Sequence, residues 1–249
     1  IKNLKSPLIP LYFMLYLIGL GLNEKGYSKE AEEALSSAEK VYLEDYTAEF
    51  PYKIEELEKQ IGREVIIVDR NFVEGFKVLE DAEDKNIVLV VYGSPLAATT
   101  HISIIQEAKR QGIKTKVIHS ASVFDAVAET GLQLYKFGKI ASMPNFEVDS
   151  YVNVVKANLD IRAHTLILVD IGMEFKTALD RLERDSKNKG IKLDKIIICS
   201  RLGTEESKIY YNSIKNLNSL KAKVRAPFCI IIPGELHFLE KEFLENFKN

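Results

Sequence analysis

The sequence contains few residues that could ligate a metal or form a disulfide. Its 249 residues include two cysteines and four histidines. Cys199 and Cys229 stand in apolar, strand-like runs, and the histidines are scattered, with no Cys or Asp at ligand spacing. Such cysteines are usually small core residues in a reducing compartment, whereas a metal site needs clustered ligands. We therefore expect free buried thiols, no bound metal and a cytoplasmic protein.

The sequence also lacks an excess of one charge and the common nucleotide motifs. Its formal net charge is -2 at pH 7, whereas nucleic-acid-binding proteins usually carry a basic stripe or a high pI. There is no Gly-x-x-x-x-Gly-Lys-Ser/Thr loop for phosphates and no Gly-x-Ser-x-Gly nucleophile elbow. These absences exclude a P-loop NTPase and an elbow hydrolase, and they predict no nucleic-acid partner.

A long membrane-spanning run is absent as well. The apolar segment of residues 8–22 is interrupted by Pro10 and is shorter than the ~20 residues that a transmembrane helix needs. No small-x-small cleavage site follows it, so it is not typical of a signal peptide. We expect residues 1–13 to be an upstream extension, Met14 to be the natural start, and the chain to have no membrane partner.

Strand-like and helical patterns alternate along the chain. Continuous Val/Ile/Leu runs are typical of parallel strands covered on both faces. The predicted strands are residues 15–18, 41–43, 65–68, 87–91, 116–118, 165–169, 195–199 and 229–232. The predicted helices include residues 31–38, 76–79, 104–108, 123–130, 151–158, 174–187 and 239–246. Strands separated by helices form βαβ units, so we predict an α/β fold with mostly parallel sheets.

The alternation is interrupted between residues 130 and 146, a segment that has no clear period and contains Gly131, Gly138 and Pro144. It resumes afterwards, which indicates a domain boundary near residues 120–130. We predict an N-terminal α/β domain of residues 14–122 and a C-terminal α/β domain of residues 123–249. The cleft between two such domains is the expected ligand site.

Two predicted strands end in glycine. The first runs into Gly19-Leu20-Gly21, and another is followed by Gly93-Ser94-Pro95. A dinucleotide site would need a further glycine where Glu24 stands. Ala97-Ala98 predicts the small-residue start of a helix, with room for a flat ligand at a strand's carboxyl end, where open α/β sheets bind ligands. The two ends predict a crevice lined by backbone groups, suited to a zwitterionic, partly adenine-like ligand.

Polar residues near other strand ends have both structural and functional interpretations. Ser122 follows a third strand, where a serine is most often a helix N-cap but could also contact a ligand. His101, His119 and His164 are more typical of structural positions. His237 follows a buried strand and a Pro-Gly turn, which predicts a place at a strand's carboxyl end and leaves its structural and functional interpretations evenly balanced.

Longer strings make the chain similar to one family, the S-adenosylmethionine-dependent methyltransferases of the tetrapyrrole-methylase fold. Within this family it resembles the branch that acts in diphthamide biosynthesis. The strings are LYLIGLGL (15–22), GSPLAATTH (93–101), LYKFGK (134–139), HTLILVDI (164–171), SRLGT (200–204) and IPGELHFLE (232–240). The glycine strand ends are shared across the wider fold, whereas Ala-Thr-Thr-His, Tyr-Lys-Phe-Gly-Lys and Pro-Gly-x-Leu-His are specific to this branch.

The resemblance implies two α/β domains with S-adenosylmethionine bound in the cleft between them, usually in a homodimer. The implied reaction is repeated methyl transfer to the amino group of a modified histidine on translation elongation factor 2, which releases S-adenosylhomocysteine. The cofactor contacts that it carries over are Leu22, Ser94, Ala97, Ser122, Val123, Val169, Leu202 and Phe228.

Methyl transfer from a sulfonium requires positioning and exclusion of water, with no metal or covalent enzyme intermediate. The acceptor amine must first lose a proton, which a base can assist. Our hypothesis for that base, or for a group that binds the substrate, is His237, with His101 second.

Two alternatives remain open. One is a methyltransferase for a tetrapyrrole precursor, although residues 135–139 and 236–237 match the protein-modifying branch better. The other is a cofactor-binding homologue without turnover, suggested by two departures from the family pattern. Ser94 stands where the family usually has aspartate, and Phe228 stands where a histidine is common.

The Ser94 departure generates a prediction. A lost charge-assisted hydrogen bond typically costs about 1.5–3 kcal/mol, so Ser94→Asp should bind S-adenosylmethionine roughly tenfold more tightly or better. Calorimetric titration of the wild type and the variant measures this change. Unchanged or weaker binding in the variant contradicts the prediction.

Overall fold

The computed structural model describes residues 13–220 and 223–248. Except for residue 13, the predicted extension lies outside the described residues. The described chain forms two five-stranded sheets, one from each half of the sequence. Apolar clusters pack on both faces of each sheet, which confirms the predicted α/β fold.

The first half builds an entirely parallel sheet. Its elements are β1 (Met14–Gly19), α1 (Lys29–Ser37), β2 (Lys40–Glu44), α2 (Ile54–Ile61), β3 (Ile66–Val68), α3 (Arg70–Glu74), α4 (Lys77–Ala82), β4 (Ile87–Val91), α5 (Ile102–Gln111) and β5 (Lys114–Ile118). The strand order is β3-β2-β4-β1-β5, and every pairing is parallel. All five carboxyl ends therefore meet at one edge.

The central strand explains why the sequence pattern is continuous here. Every residue of β4 is fully buried. Leu89 packs on one face of the sheet, and Val88 and Val90 pack on the other, so a polar residue at any of these positions would be buried without a partner. Helix α5 ends at Gly112, whose φ of 74° suits glycine, as the sequence predicted.

The second half builds a mixed sheet. Its elements are α6 (Val123–Ala126), β6 (Ala141–Met143), α7 (Ser150–Asp160), β7 (Thr165–Val169), α8 (Phe175–Asn188), β8 (Ile196–Ser200), β9 (Lys208–Asn212), α9 (Ile214–Leu217), β10 (Phe228–Ile232) and α10 (Phe238–Leu244). The strand order is β6-β7-β10-β8-β9. A boundary between residues 122 and 123 lies between the two sheets and stays a prediction.

The expected parallel pairing is limited in this sheet to β6 and β7. Strand β10 runs antiparallel to both β7 and β8, and β8 runs antiparallel to β9. Only residues 201–207 join β8 to β9, too few for the crossover that parallel neighbours need. The apolar runs arise because both faces are covered, and burial alone does not specify strand direction.

The loop after β4 also differs from the prediction. The predicted helix start at Ala97 is wrong, because residues 95–100 form turns and α5 begins at Ile102. Ala98 has a φ of 58°, a left-handed conformation that interrupts any regular element. The extra turns leave a wide loop between strand and helix.

A buried ionic cluster links α10 to the second sheet. Glu240 is 1% exposed. It accepts hydrogen bonds from the Gln133 amide at 2.9 Å, from the His237 amide at 2.7 Å and from the Lys136 ammonium, and its Oε1 lies 3.2 Å from His164 Nε2. Burial would raise the pKa of Glu240, but these partners lower it to about 2. The carboxylate therefore stays charged and holds several segments together.

This cluster generates a stability prediction. Removing one partner of a buried charged group costs about 3–5 kcal/mol, so Glu240→Gln should lower the free energy of unfolding by about that much at pH 7. Because the folded pKa lies below 4.5, the carboxylate's contribution is complete above that pH, and the deficit should shrink as the pH falls towards 2. Chemical denaturation across pH measures both effects. An equal loss in the exposed control Glu245→Gln would contradict this account.

Candidate functional site

An apolar cleft of about 560 Å³ lies where the ends of the two sheets face each other. From the first half, residues after β1, β2 and β4 line it. From the second half, the ends of β7 and β8 and the start of β10 line it. This is the edge at which open α/β sheets bind ligands.

The structure brings the predicted cofactor contacts together along this cleft. Leu22 and Leu202 are buried at its wall, and Val169 and Phe228 are half-buried. The predicted contacts that line the cleft are Leu22, Ser94, Ala97, Ser122, Val123, Val169, Leu202 and Phe228. They come from both halves of the sequence, so the site requires the whole fold.

Reciprocal backbone hydrogen bonds join the loops after β1 and β4. The Gly21 amide donates to the Gly93 carbonyl at 3.1 Å, and the Gly93 amide donates to the Gly21 carbonyl at 2.9 Å. Their φ angles of 71° and 74° favour glycine. These two amides are therefore used within the protein and are not free for a ligand, whereas the sequence predicted a crevice lined by backbone groups.

The two serines of the cleft have protein partners as well. Ser94 Oγ lies 3.2 Å from Nδ1 of His119, so a carboxylate at position 94 would face this imidazole. Ser122 caps α6, where its Oγ accepts from the Phe124 amide at 3.2 Å and its own amide donates to Asp125 at 2.7 Å. The N-cap interpretation of Ser122 is confirmed, and the same residue lines the cleft.

Sequence reasoning missed several residues of the cleft. Thr47 and Ala48 line it just after β2, and Ser142 lies on the short strand β6. Asp170 follows β7 and is the only charged side chain among the described residues that line the cleft; its Oδ2 accepts from the Asn145 amide at 3.1 Å. The signal for Thr47 and Asp170 was present, since both follow buried strands.

The two cysteines are free and buried, as predicted. Cys199 and Cys229 are direct partners across β8 and β10, and both line the cleft. The neighbouring Cys229 thiol and burial together raise the pKa of Cys199 well above its ordinary value. Both thiols thus add apolar surface to the wall.

Two contacts close the cleft between the sheets. The side-chain amide of Asn23 donates to the Gly203 carbonyl at 2.8 Å, and the backbone amide of Gly172 donates to Glu49 Oε1 at 2.9 Å. Leu22 packs so closely on Gly203 that a Cβ there would lie 2.7 Å from the Leu22 Cβ. Loops from the first sheet therefore hold loops from the second.

His237 lies away from the cleft, although the sequence places it just after a strand's carboxyl end. It does follow the carboxyl end of β10, but β10 runs antiparallel to β7. The amino end of β10, at Phe228, faces the cleft. Its carboxyl end, at Ile232, lies about 13 Å further along the strand. His237 caps α10 at the opposite edge, beside Tyr135 and Arg162. His237 therefore does not line the cleft, and its role as a base or substrate-binding group stays a prediction.

His101 lies behind the cleft loop rather than in it. Its side chain is 1% exposed, with Nδ1 2.9 Å from the Pro95 carbonyl and Nε2 3.5 Å from the Tyr46 hydroxyl. Burial lowers the pKa of His101, so the ring is neutral and fastens the loop after β4. Its position supports a structural interpretation more directly than a catalytic one.

Residues 13–220 and 223–248 contain no group of acidic, histidine and cysteine side chains that could hold a metal ion. In the same described part of the chain, no helix is long and apolar enough to span a membrane.

Comparisons with known proteins agree with the fold. Residues 14–218 match the family of tetrapyrrole (corrin/porphyrin) methylases. Diphthine synthase of Methanocaldococcus jannaschii is 37% identical over 93% of this chain and 98% of its own length. Diphthine synthase of Archaeoglobus fulgidus is 36% identical over 94% of this chain and 95% of its own length.

A crystal structure of a diphthine synthase superposes with a TM-score of 0.88 at 34% identity, covering 94% of this chain and 96% of that one. These relatives are diphthine synthases, which favours the protein-modifying branch over a methyltransferase for tetrapyrrole precursors. The chain belongs to the tetrapyrrole methylase family, within its diphthine synthase branch, and is a methyltransferase.

Proposed function

We propose that the cleft binds S-adenosylmethionine and that the chain methylates the amino group of the modified histidine of translation elongation factor 2. The observation that carries the proposal is the cleft itself, in which residues from both sheets converge on one site. The names of the relatives support the same reaction.

The residues of the cleft fit this cofactor. Its volume of about 560 Å³ lies within the range of roughly 300–1,000 Å³ for small-molecule sites. Leu22, Leu202 and Phe228 offer apolar surface, and Ser94 offers a hydroxyl. No Lys or Arg lines the cleft in the described chain, whereas Asp170 does. The lining therefore suits a cation better than a phosphate.

S-adenosylmethionine, when bound, supplies a methyl group already activated for displacement. The chain then has to hold the acceptor amine in line with that group and exclude water. Buried Leu22 and Leu202 exclude water from the two sides of the cleft. Asp170 supplies negative charge where positive charge must be held.

We also propose a cytoplasmic homodimer. Elongation factor 2 acts in the cytoplasm, and the free cysteines suit a reducing compartment. An apolar surface away from the cleft supports self-association: Tyr135, Ile161 and Phe238 are 81%, 70% and 68% exposed around one depression. Contiguous exposed apolar surface often marks a protein interface.

The reaction is tested by incubating the protein with methyl-labelled S-adenosylmethionine and elongation factor 2 that carries the modified histidine. We expect label in elongation factor 2, located in the loop of the modified histidine by mass spectrometry. Elongation factor 2 with an unmodified histidine is the control and should stay unlabelled. Cofactor binding without any label transfer would instead support a homologue that has lost turnover.

The role of Asp170 is tested by comparing two ligands. Asp170 is exposed, so Asp170→Asn should weaken binding of the cationic cofactor by about 0.5–1 kcal/mol, roughly two- to fivefold. It should weaken binding of S-adenosylhomocysteine less, because the product's sulfur is neutral. Calorimetry measures both affinities. The control is Asp180→Asn, on the exposed face of α8 beside Lys176; equal losses in the two variants would remove Asp170 from the site.

A further inference from the structure

A buried carboxyl group lies directly behind the wall of the cleft. Glu44 is the last residue of β2, and its strand end belongs to the cleft edge of the first sheet. The residue is only 1% exposed. Charged side chains are rarely buried this fully without a partner, so its position calls for an explanation.

Thr47 connects this carboxyl group to the cleft. Thr47 lines the cleft, and its hydroxyl donates a hydrogen bond to Glu44 Oε1. Since the hydroxyl hydrogen points towards Glu44, the oxygen of Thr47 keeps lone pairs that can accept a hydrogen bond from a donor in the cleft. An ammonium group is such a donor.

The second oxygen of the carboxyl group has no partner. Within the described chain, Glu44 Oε2 is buried without a hydrogen bond. Burial raises the pKa of Glu44 to about 7, even though the hydrogen bond from Thr47 opposes the shift. The neighbouring Asp45 carboxylate raises this pKa further, and the Arg70 guanidinium lowers it.

Other titratable groups lie close behind Glu44. The Arg70 guanidinium lies 5.1 Å from the centre of the Tyr46 ring and 3.9 Å from the Glu74 carboxylate. Burial first, and then the charges of Glu44 and Glu74, raise the pKa of Tyr46 to about 12. His101, beyond Tyr46, is neutral because burial lowers its pKa. Of these groups, Glu44 is the buried carboxyl group that is hydrogen-bonded to a residue of the cleft lining.

We infer that Glu44 takes up, through the Thr47 hydroxyl, the proton that the acceptor amine must lose before it is methylated. The inference rests on the function proposed above. Thr47 is the group that touches the substrate, and Glu44 acts through Thr47. It supplies the base for which His237 lies at the wrong edge of the sheet. It also gives a reason for a carboxyl group that is buried without a full set of partners.

The protons and electrons balance without any further reactant. An N–H bond of the ammonium breaks as its proton passes to the Thr47 oxygen, while the Thr47 hydroxyl proton passes to the Glu44 carboxylate. The freed electron pair of nitrogen forms the new N–C bond as the C–S bond of the donor breaks, and that bond's electrons stay on sulfur. The product is again an ammonium, and the Glu44 proton returns to water through Thr47 after release.

The pH profile of kcat tests the inference. In the wild type, kcat should rise as the pH increases through about 7, because Glu44 must be deprotonated to accept the proton. Glu44→Gln keeps the shape but accepts no proton, so this rise should disappear and kcat at pH 8 should fall about 100-fold. The affinity for S-adenosylmethionine should not change. The exposed control Glu64→Gln should keep the wild-type profile.

A measurement independent of activity separates the proton-accepting role from a structural one. Because the pKa of Glu44 is raised from 4.5 to about 7, wild-type stability should fall as the pH rises between these values. Glu44→Gln should lose this dependence and be at least as stable as the wild type at pH 8. A less stable variant at pH 8 would mean that the carboxylate is a structural partner and would overturn the inference.

A pair of Thr47 variants tests the route to the cleft. Thr47→Ser keeps the hydroxyl and should keep the rise of kcat with pH, whereas Thr47→Val removes it and should behave like Glu44→Gln. A wild-type pH profile in Glu44→Gln or in Thr47→Val would overturn the inference while the proposed function stands. Absence of methyl transfer by the wild type would instead overturn the proposed function.

Discussion

The reciprocal hydrogen bonds between Gly21 and Gly93 join the carboxyl ends of β1 and β4, and the rest of the site depends on this junction. Both residues have positive φ angles, so a side chain at either position would strain the backbone. The junction directs Leu22 towards Gly203 of the second half and leaves Ser94 at the cleft. Cleft shape and contact between the sheets thus arise from the same pair of turns.

The site has one carboxyl group in the cleft lining and another behind that lining. The described lining is almost uncharged, with Asp170 as its acidic side chain, and Glu44 lies behind Thr47. An exposed carboxylate can hold a cation, whereas burial raises the pKa of Glu44 to about 7. One site can therefore contain both a charge partner and a proton acceptor without a metal-binding cluster.

Local patterns predicted the parallel half well. Its buried β4 and the glycine at the end of α5 follow directly from apolar runs and turn chemistry. Prediction was weaker in the second half, where Lys208–Asn212 forms an edge strand without a long apolar run. The sequence also did not show that His237 lies away from the cleft. A strand's apolar pattern is the same in either direction, but the direction decides which edge of the sheet its carboxyl end reaches.

The sequence by itself determined the α/β class, the glycine-containing strand ends and the family, because burial on both faces and positive φ angles demand particular residue types at particular positions. Only the tertiary structure decided the direction of β10, the burial of His101 and the place of Glu44 behind Thr47. These depend on which segments, distant along the chain, pack together and remove water from a polar group. Such contacts leave no periodic trace in the sequence, since they involve single residues at separate strand ends.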